Sequence, residues 1–101
     1  MRYRSAKKEA EYELRRPLVK RLLGERPWCE ACPAFAAYDE KVTYVRQRSV
    51  DIHELVRRSQ GGSILEESNL MAVCRGCHRR IGNYPQLAFD LGLSKHGSEN
   101  K

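Results

Sequence analysis

The chain has 101 residues, enough for one domain, and a domain this short buries so little apolar surface that it commonly needs a staple. Hydrophobic content of 41% against 32% charged residues describes a polar globular protein and excludes a disordered chain. The net charge of +6 favours a polyanionic partner, nucleic acid first, while no stretch approaches the ~20 apolar residues of a membrane span and no apolar signal core follows Met1, so a soluble, cytoplasmic protein is expected.

Ser5 is placed to cap a helix whose apolar residues Ala6, Ala10, Leu14, Leu18 and Leu22 recur at spacings of four. Pro17 predicts a break near Arg16 and a second short helix ending at Gly24. Most of the basic excess lies in this segment, and Arg2, Arg4, Lys7, Lys8, Arg15 and Arg16 either extend a DNA track or form a water-facing surface. Residues 1–27 therefore read as a basic N-terminal helical extension.

Pro27 and Trp28 lead into Cys29-x-x-Cys32, and a loop is expected from Pro33 to Glu40. The β-branched runs Val42–Val45 and Val50–Val56, separated by residues 46–49, predict a β-hairpin. A polar loop with the glycine pair Gly61 and Gly62 follows, and Asn69–Val73 returns the chain to Cys74-x-x-Cys77. A helix through Cys77, His78 and Ile81 comes next. A short C-terminal helix starts at Tyr84-Pro85, carries Leu87, Ala88 and Leu91, and stops at Gly92, leaving residues 93–101 as a flexible polar tail.

Two Cys-x-x-Cys knuckles bring four thiolates to one tetrahedral ion, so Cys29, Cys32, Cys74 and Cys77 predict a structural zinc site. A pair of disulfides is the alternative, disfavoured in a reducing compartment. The 41 residues between the knuckles exceed the ~15–20 of a compact zinc ribbon, so a folded, functional insert lies between them.

His53, Glu54, Asn69 and His78 fall within or beside that insert. Two imidazoles, a carboxylate and an amide on a strand, loop and helix suit a divalent metal held against a phosphate. Each taken singly has an ordinary structural use: a packed strand histidine, a turn or cap asparagine, a zinc-ligating histidine.

Taken in order, Asp51-Ile-His53-Glu54 with Gly61-Gly62, then Asn69 and Cys74-Arg-Gly-Cys77-His78, resembles the HNH endonuclease motif of the ββα-metal superfamily, over roughly residues 28–92. It is most similar to the small zinc-containing HNH proteins of bacteriophages and their hosts. The resemblance implies an α+β fold with a ββα-metal core stapled by zinc, an N-terminal helical extension and a short C-terminal helix. It implies metal-dependent hydrolysis of DNA with Mg2+, Mn2+ or another transition metal as catalytic ion, and phage packaging (terminase) proteins as partners. A non-catalytic zinc module binding DNA or a protein is the rival reading.

In the family's pattern the base histidine stands seven positions before the first glycine, which is Glu54 here, so the resemblance makes His53 and His78 metal ligands, Glu54 the base and Asn69 the residue that orients it. Asn83 is the nearest candidate for a further metal position. Glutamate departs from the expected histidine, and its ordinary pKa of ~4.3 makes it the weaker base. Two alternatives stay open: His53 as base with Asp51 completing the metal site, since strand alternation puts both on one face, or a site that binds without cutting. Arg57, Arg58, Arg75, Arg79 and Arg80 flank these residues as candidate phosphate contacts.

Overall fold

A computed structural model describes residues 6–39 and 45–95. Helix α1 (Ala6–Glu25) runs unbroken through Pro17, where a break was expected. Proline removes one helical hydrogen bond, the one to the carbonyl of Glu13, and because Glu13 and Pro17 both lie on the exposed side, water can take that carbonyl. The apolar stripe also needs correcting. Steps of four overshoot the 3.6-residue turn by about 40° each, so the row winds around the helix. Ala6 and Ala10 are exposed and Leu14 is 61% exposed, whereas Leu18 and Leu22 reach the core. The Ser5 cap lies outside the described residues.

Strand β1 (Asp51–Glu54) pairs antiparallel with β2 (Leu70–Val73), in the register Asp51 to Val73, Ile52 to Ala72, His53 to Met71 and Glu54 to Leu70. Strand β1 thus has the return segment as its partner, where a hairpin between 42–45 and 50–56 was expected. Residues 42–44 lie outside the described residues, and Val45 is exposed and outside any strand. The physical reason is burial: Leu70-Met-Ala-Val73 is apolar on both faces, and such a strand is satisfied only when covered on both sides.

Two cores provide that cover. On one face Ile52, Leu70 and Ala72 pack with Leu22, supported by Leu18, Val19 and Leu23 of α1. On the other, Val73 joins Cys29, Ala31, Phe35, Cys77, Ile81, Ala88 and Leu93. The N-terminal helix is therefore part of the domain's packing. The order is helix, two-stranded sheet, then a second helical layer holding the cysteines, which makes the fold α+β.

The second layer contains helix α2 (Cys32–Tyr38) where a loop was expected. Pro33 fits the first turn, Ala34, Ala36 and Ala37 are strong helix formers, and Phe35 is buried. Helices α3 (Arg75–Asn83) and α4 (Pro85–Asp90) match the expected pair, with Gly92 at φ 77° in the left-handed stop. Residues 93–95 do not belong to a loose tail: Leu93 is 3% exposed, and the Lys95 amide donates to the Leu55 carbonyl at 2.7 Å. Residues 96–101 lie outside the described residues. Among the described residues no helix is long and apolar enough to cross a membrane.

Candidate functional site

The 41-residue separation of the knuckles closes because the first one docks on β2. The Glu30 amide donates to the Ala72 carbonyl at 2.8 Å, and the Glu30 carboxylate accepts from the Ala72 amide at 2.7 Å. Cys32 opens α2 and Cys74 caps α3, its sulfur accepting from the Cys77 amide at 3.4 Å. All four cysteines are free, and their sulfurs lie within 4.8 Å of one another. The separations from Cys32 to Cys74 and Cys77, 3.9 and 3.6 Å, are far beyond the ~2.05 Å of a disulfide.

Ionisation at the cluster is uneven. Burial pushes the Cys32 thiol up to about 12 and the Cys77 thiol up as well, aided by neighbouring sulfurs. At Cys29 burial acts the same way, but backbone amide donors outweigh it and bring the thiol down. Four crowded sulfurs, that of Cys29 already favoured as thiolate by backbone amides, are the donor set that a divalent cation completes, by removing the repulsion between thiolates. The residues fit structural zinc held by Cys29, Cys32, Cys74 and Cys77, and the ion would act there as a cross-link between β2, α2 and α3.

A cleft of about 400 Å3 opens beside β1, lined by Arg15, Ile52, His53, Glu54, Arg57, His78, Ile81 and Gly82. Strand alternation divides its polar residues. His53 faces α3, where its ring meets His78 edge-on at 5.5 Å between centroids. Glu54, the neighbour with the opposite orientation, is engaged by Arg15 of α1 at 3.2 Å. Arg15 also donates to the Ile64 carbonyl at 2.7 Å, tying α1 to the loop after the glycines.

His53 is 8% exposed and its Nε2 lies 2.6 Å from the Leu93 carbonyl oxygen. A carbonyl only accepts, so Nε2 carries the proton and Nδ1 keeps the lone pair. Burial holds this imidazole below its usual pKa despite that hydrogen bond. On the same face, Asp51 Oδ2 lies 3.3 Å from His78 Nδ1, and Arg75 reaches the Asp51 carboxylate at 2.9 and 3.2 Å. Partial burial of Asp51 raises its pKa, but Arg75 and His78 outweigh it, and the carboxyl sits below the ordinary range. Among the described residues, the four cysteines are the one group of three or more close metal-binding side chains.

Asn69 is not in the cleft. Its side chain accepts from the Val56 amide at 2.8 Å and donates to the carbonyls of Val56 and Ser63 at 3.0 and 2.9 Å, pinning the loop behind β1. The glycine pair belongs to that loop. Gly61 adopts φ 89°, and a Cβ on Gly62 would meet the Val56 carbonyl oxygen at 1.8 Å.

Of the five flanking arginines, Arg57 lines the cleft; the others serve elsewhere. Arg58 pairs with Glu11 at 2.6 Å and covers the Tyr12 ring, Arg75 holds Asp51, and Arg80 stacks over Phe35 at 4.5 Å. Arg79 and Asn83 line a separate groove across α3. For Arg79 and Arg80 helical geometry is the reason, because residues one or two positions from His78 project ~100–200° away from it. Sequence reasoning left Arg15 as a general basic residue. The spacing of Tyr12, Arg15, Val19 and Leu22 was the available signal, since it follows a single face of α1.

No protein-family model matches the chain, and no curated protein or solved structure is significantly similar to it. The HNH resemblance therefore rests on the motif residues themselves.

Proposed function

We propose that the protein is a metal-dependent DNA endonuclease of the HNH type, with His53 as general base and Asp51 and His78 as ligands of the catalytic cation. The observation that carries this reading is the hydrogen bond from His53 Nε2 to the Leu93 carbonyl, which leaves Nδ1 of a buried, neutral imidazole as the proton acceptor in a cleft shared with His78. Glu54 is the weaker choice because strand alternation turns its carboxylate toward Arg15 of α1 and away from the face that Asp51 and His78 share. Asp51 and His78 are two donors on adjacent elements, and cations of the Mg2+ class commonly take few protein ligands and complete their shell with water and substrate phosphate. A cation bound there would polarise the phosphate and stabilise the departing oxygen.

Hydrolysis then proceeds with water attacking phosphorus as His53 Nδ1 takes its proton. The bond from phosphorus to the leaving oxygen breaks, and that oxygen is protonated from solvent. Arg57, exposed and lining the cleft, would hold the phosphate backbone, and the net positive charge favours DNA approach.

Nicking of supercoiled plasmid, assayed with Mg2+, Mn2+ and Ni2+ in turn, tests the reading. The parent should nick, His53→Ala should lose about 100-fold or more in rate, and Glu54→Gln should cut about as fast as the parent. Retained activity in His53→Ala with loss in Glu54→Gln would move the base to Glu54. A parent that binds DNA but cuts with none of the metals would leave a zinc-stapled binding module.

A further inference from the structure

Helix α3 works on two sides. His78, Ile81 and Gly82 face the cleft, whereas Gly76, Arg79, Arg80 and Asn83, spaced at three, four and seven residues, form the opposite face. That second face floors a groove of about 700 Å3, walled by Tyr38 at the end of α2 and by Tyr84 and Leu87 at the α3–α4 junction. Tyr38 and Tyr84 are 58% and 59% exposed, a large apolar area for a small protein to leave in water. Among the described residues the groove's lining carries two guanidinium groups and no carboxylate. Arg80 is fixed by its stack on Phe35, so its position is set before any ligand arrives.

We propose that this groove binds single-stranded DNA, seating an unpaired base against Tyr38 or Tyr84 and the adjoining phosphates on Arg79 and Arg80. The chemistry favours that occupant. A duplex hides its base faces, while an unpaired strand offers both a π face for tyrosine and a phosphate for arginine, the combination used by single-strand binding surfaces. Asn83 adds an amide that can pair with a base edge. This inference rests on the nucleic-acid reading above and deepens it: with the cleft on one side of α3 and the groove on the other, the favoured substrate is a junction where duplex gives way to single strand.

The test is fluorescence anisotropy of the zinc-loaded full chain on a labelled oligo-dT of about ten nucleotides, beside a labelled duplex. Tyr38→Ala and Tyr84→Ala should each weaken oligo-dT binding by about ten-fold, leaving duplex affinity and plasmid nicking at parental levels. Gly76→Leu, at a position where an added Cβ meets nothing within 4 Å, should plug the groove with the same effect while the fold persists. Zinc content and circular dichroism verify folding of each variant. Parental oligo-dT affinity in all three folded variants overturns the proposal, as does a parent that binds duplex but not oligo-dT. Equal losses on duplex and oligo-dT also overturn it, by assigning the groove to the duplex path. Self-association of the parent that the tyrosine variants abolish would assign it to a second copy of the chain. A parent that binds neither DNA overturns the nucleic-acid reading together with this one.

Discussion

Asn69 shows how a motif residue can matter without touching the cleft. Its side chain makes three hydrogen bonds, all to Val56 and Ser63 of one loop, and Val56 is itself 4% exposed, so the Val56 amide has little access to water as a substitute. Asn69→Ala should therefore cost roughly 1–3 kcal/mol, read as a lower urea midpoint at unchanged slope, and should lower nicking as Arg57 loses its anchored loop. An unchanged midpoint would show that the loop holds without the amide. At this scale the sequence was legible where one local rule acts, as strand alternation did in placing Asp51 and His53 together. Counting back from Gly61 marks Glu54, and a count along the chain carries no information on which face a residue occupies; pairing with Leu70 turns Glu54 toward α1 and away from the face of Asp51 and His53. The partner of His53 was illegible, since Leu93 is 40 residues distant in a segment that reads as polar tail.

At the scale of elements, the C-terminal half of α1 carries the packing. Leu22 is fully buried against Ile52, Leu70 and Ala72, while Leu14, two turns earlier, stands in water. Leu22→Ala should destabilise by about 2–5 kcal/mol and Leu14→Ala by less than about 0.5 kcal/mol in the same denaturation experiment. Equal effects would mean that α1 does not dock in this register. Helices α3 and α4 were readable because their stops are chemical, Cys74 at the cap and Gly92 at the end. The strand pairing was not, because β propensity marks a segment as extended without naming its partner, and β2 was disguised as a connection into the second knuckle.

For the whole molecule the deciding quantity is how two small cores on opposite faces of a two-stranded sheet stay folded. An isolated hairpin is marginal in water, and here each face depends on the other through β1 and β2. The core on the α3 side contains Cys29 and Cys77 among its buried members, so the cysteines that would hold the zinc are also part of its packing. Zinc binding by such sites contributes ~10–16 kcal/mol of apparent free energy, against the ~5–15 kcal/mol of net stability usual for a domain. Removing the ion should then unfold both cores in one transition. The purified protein should carry one zinc per chain by elemental analysis, and strong chelation should abolish helical circular dichroism, α1 included, although α1 contributes no cysteine. Cys74→Ser should behave as the chelated parent does. If the proposed cation sits at Asp51 and His78, weaker chelation that strips it alone should leave the spectrum intact while stopping any nicking, because water and imidazole exchange where a closed four-thiolate shell does not. A zinc-free protein that keeps its helix content and a sharp thermal transition would show that apolar packing alone holds the sheet, and the cysteine cluster would lose its place as the staple.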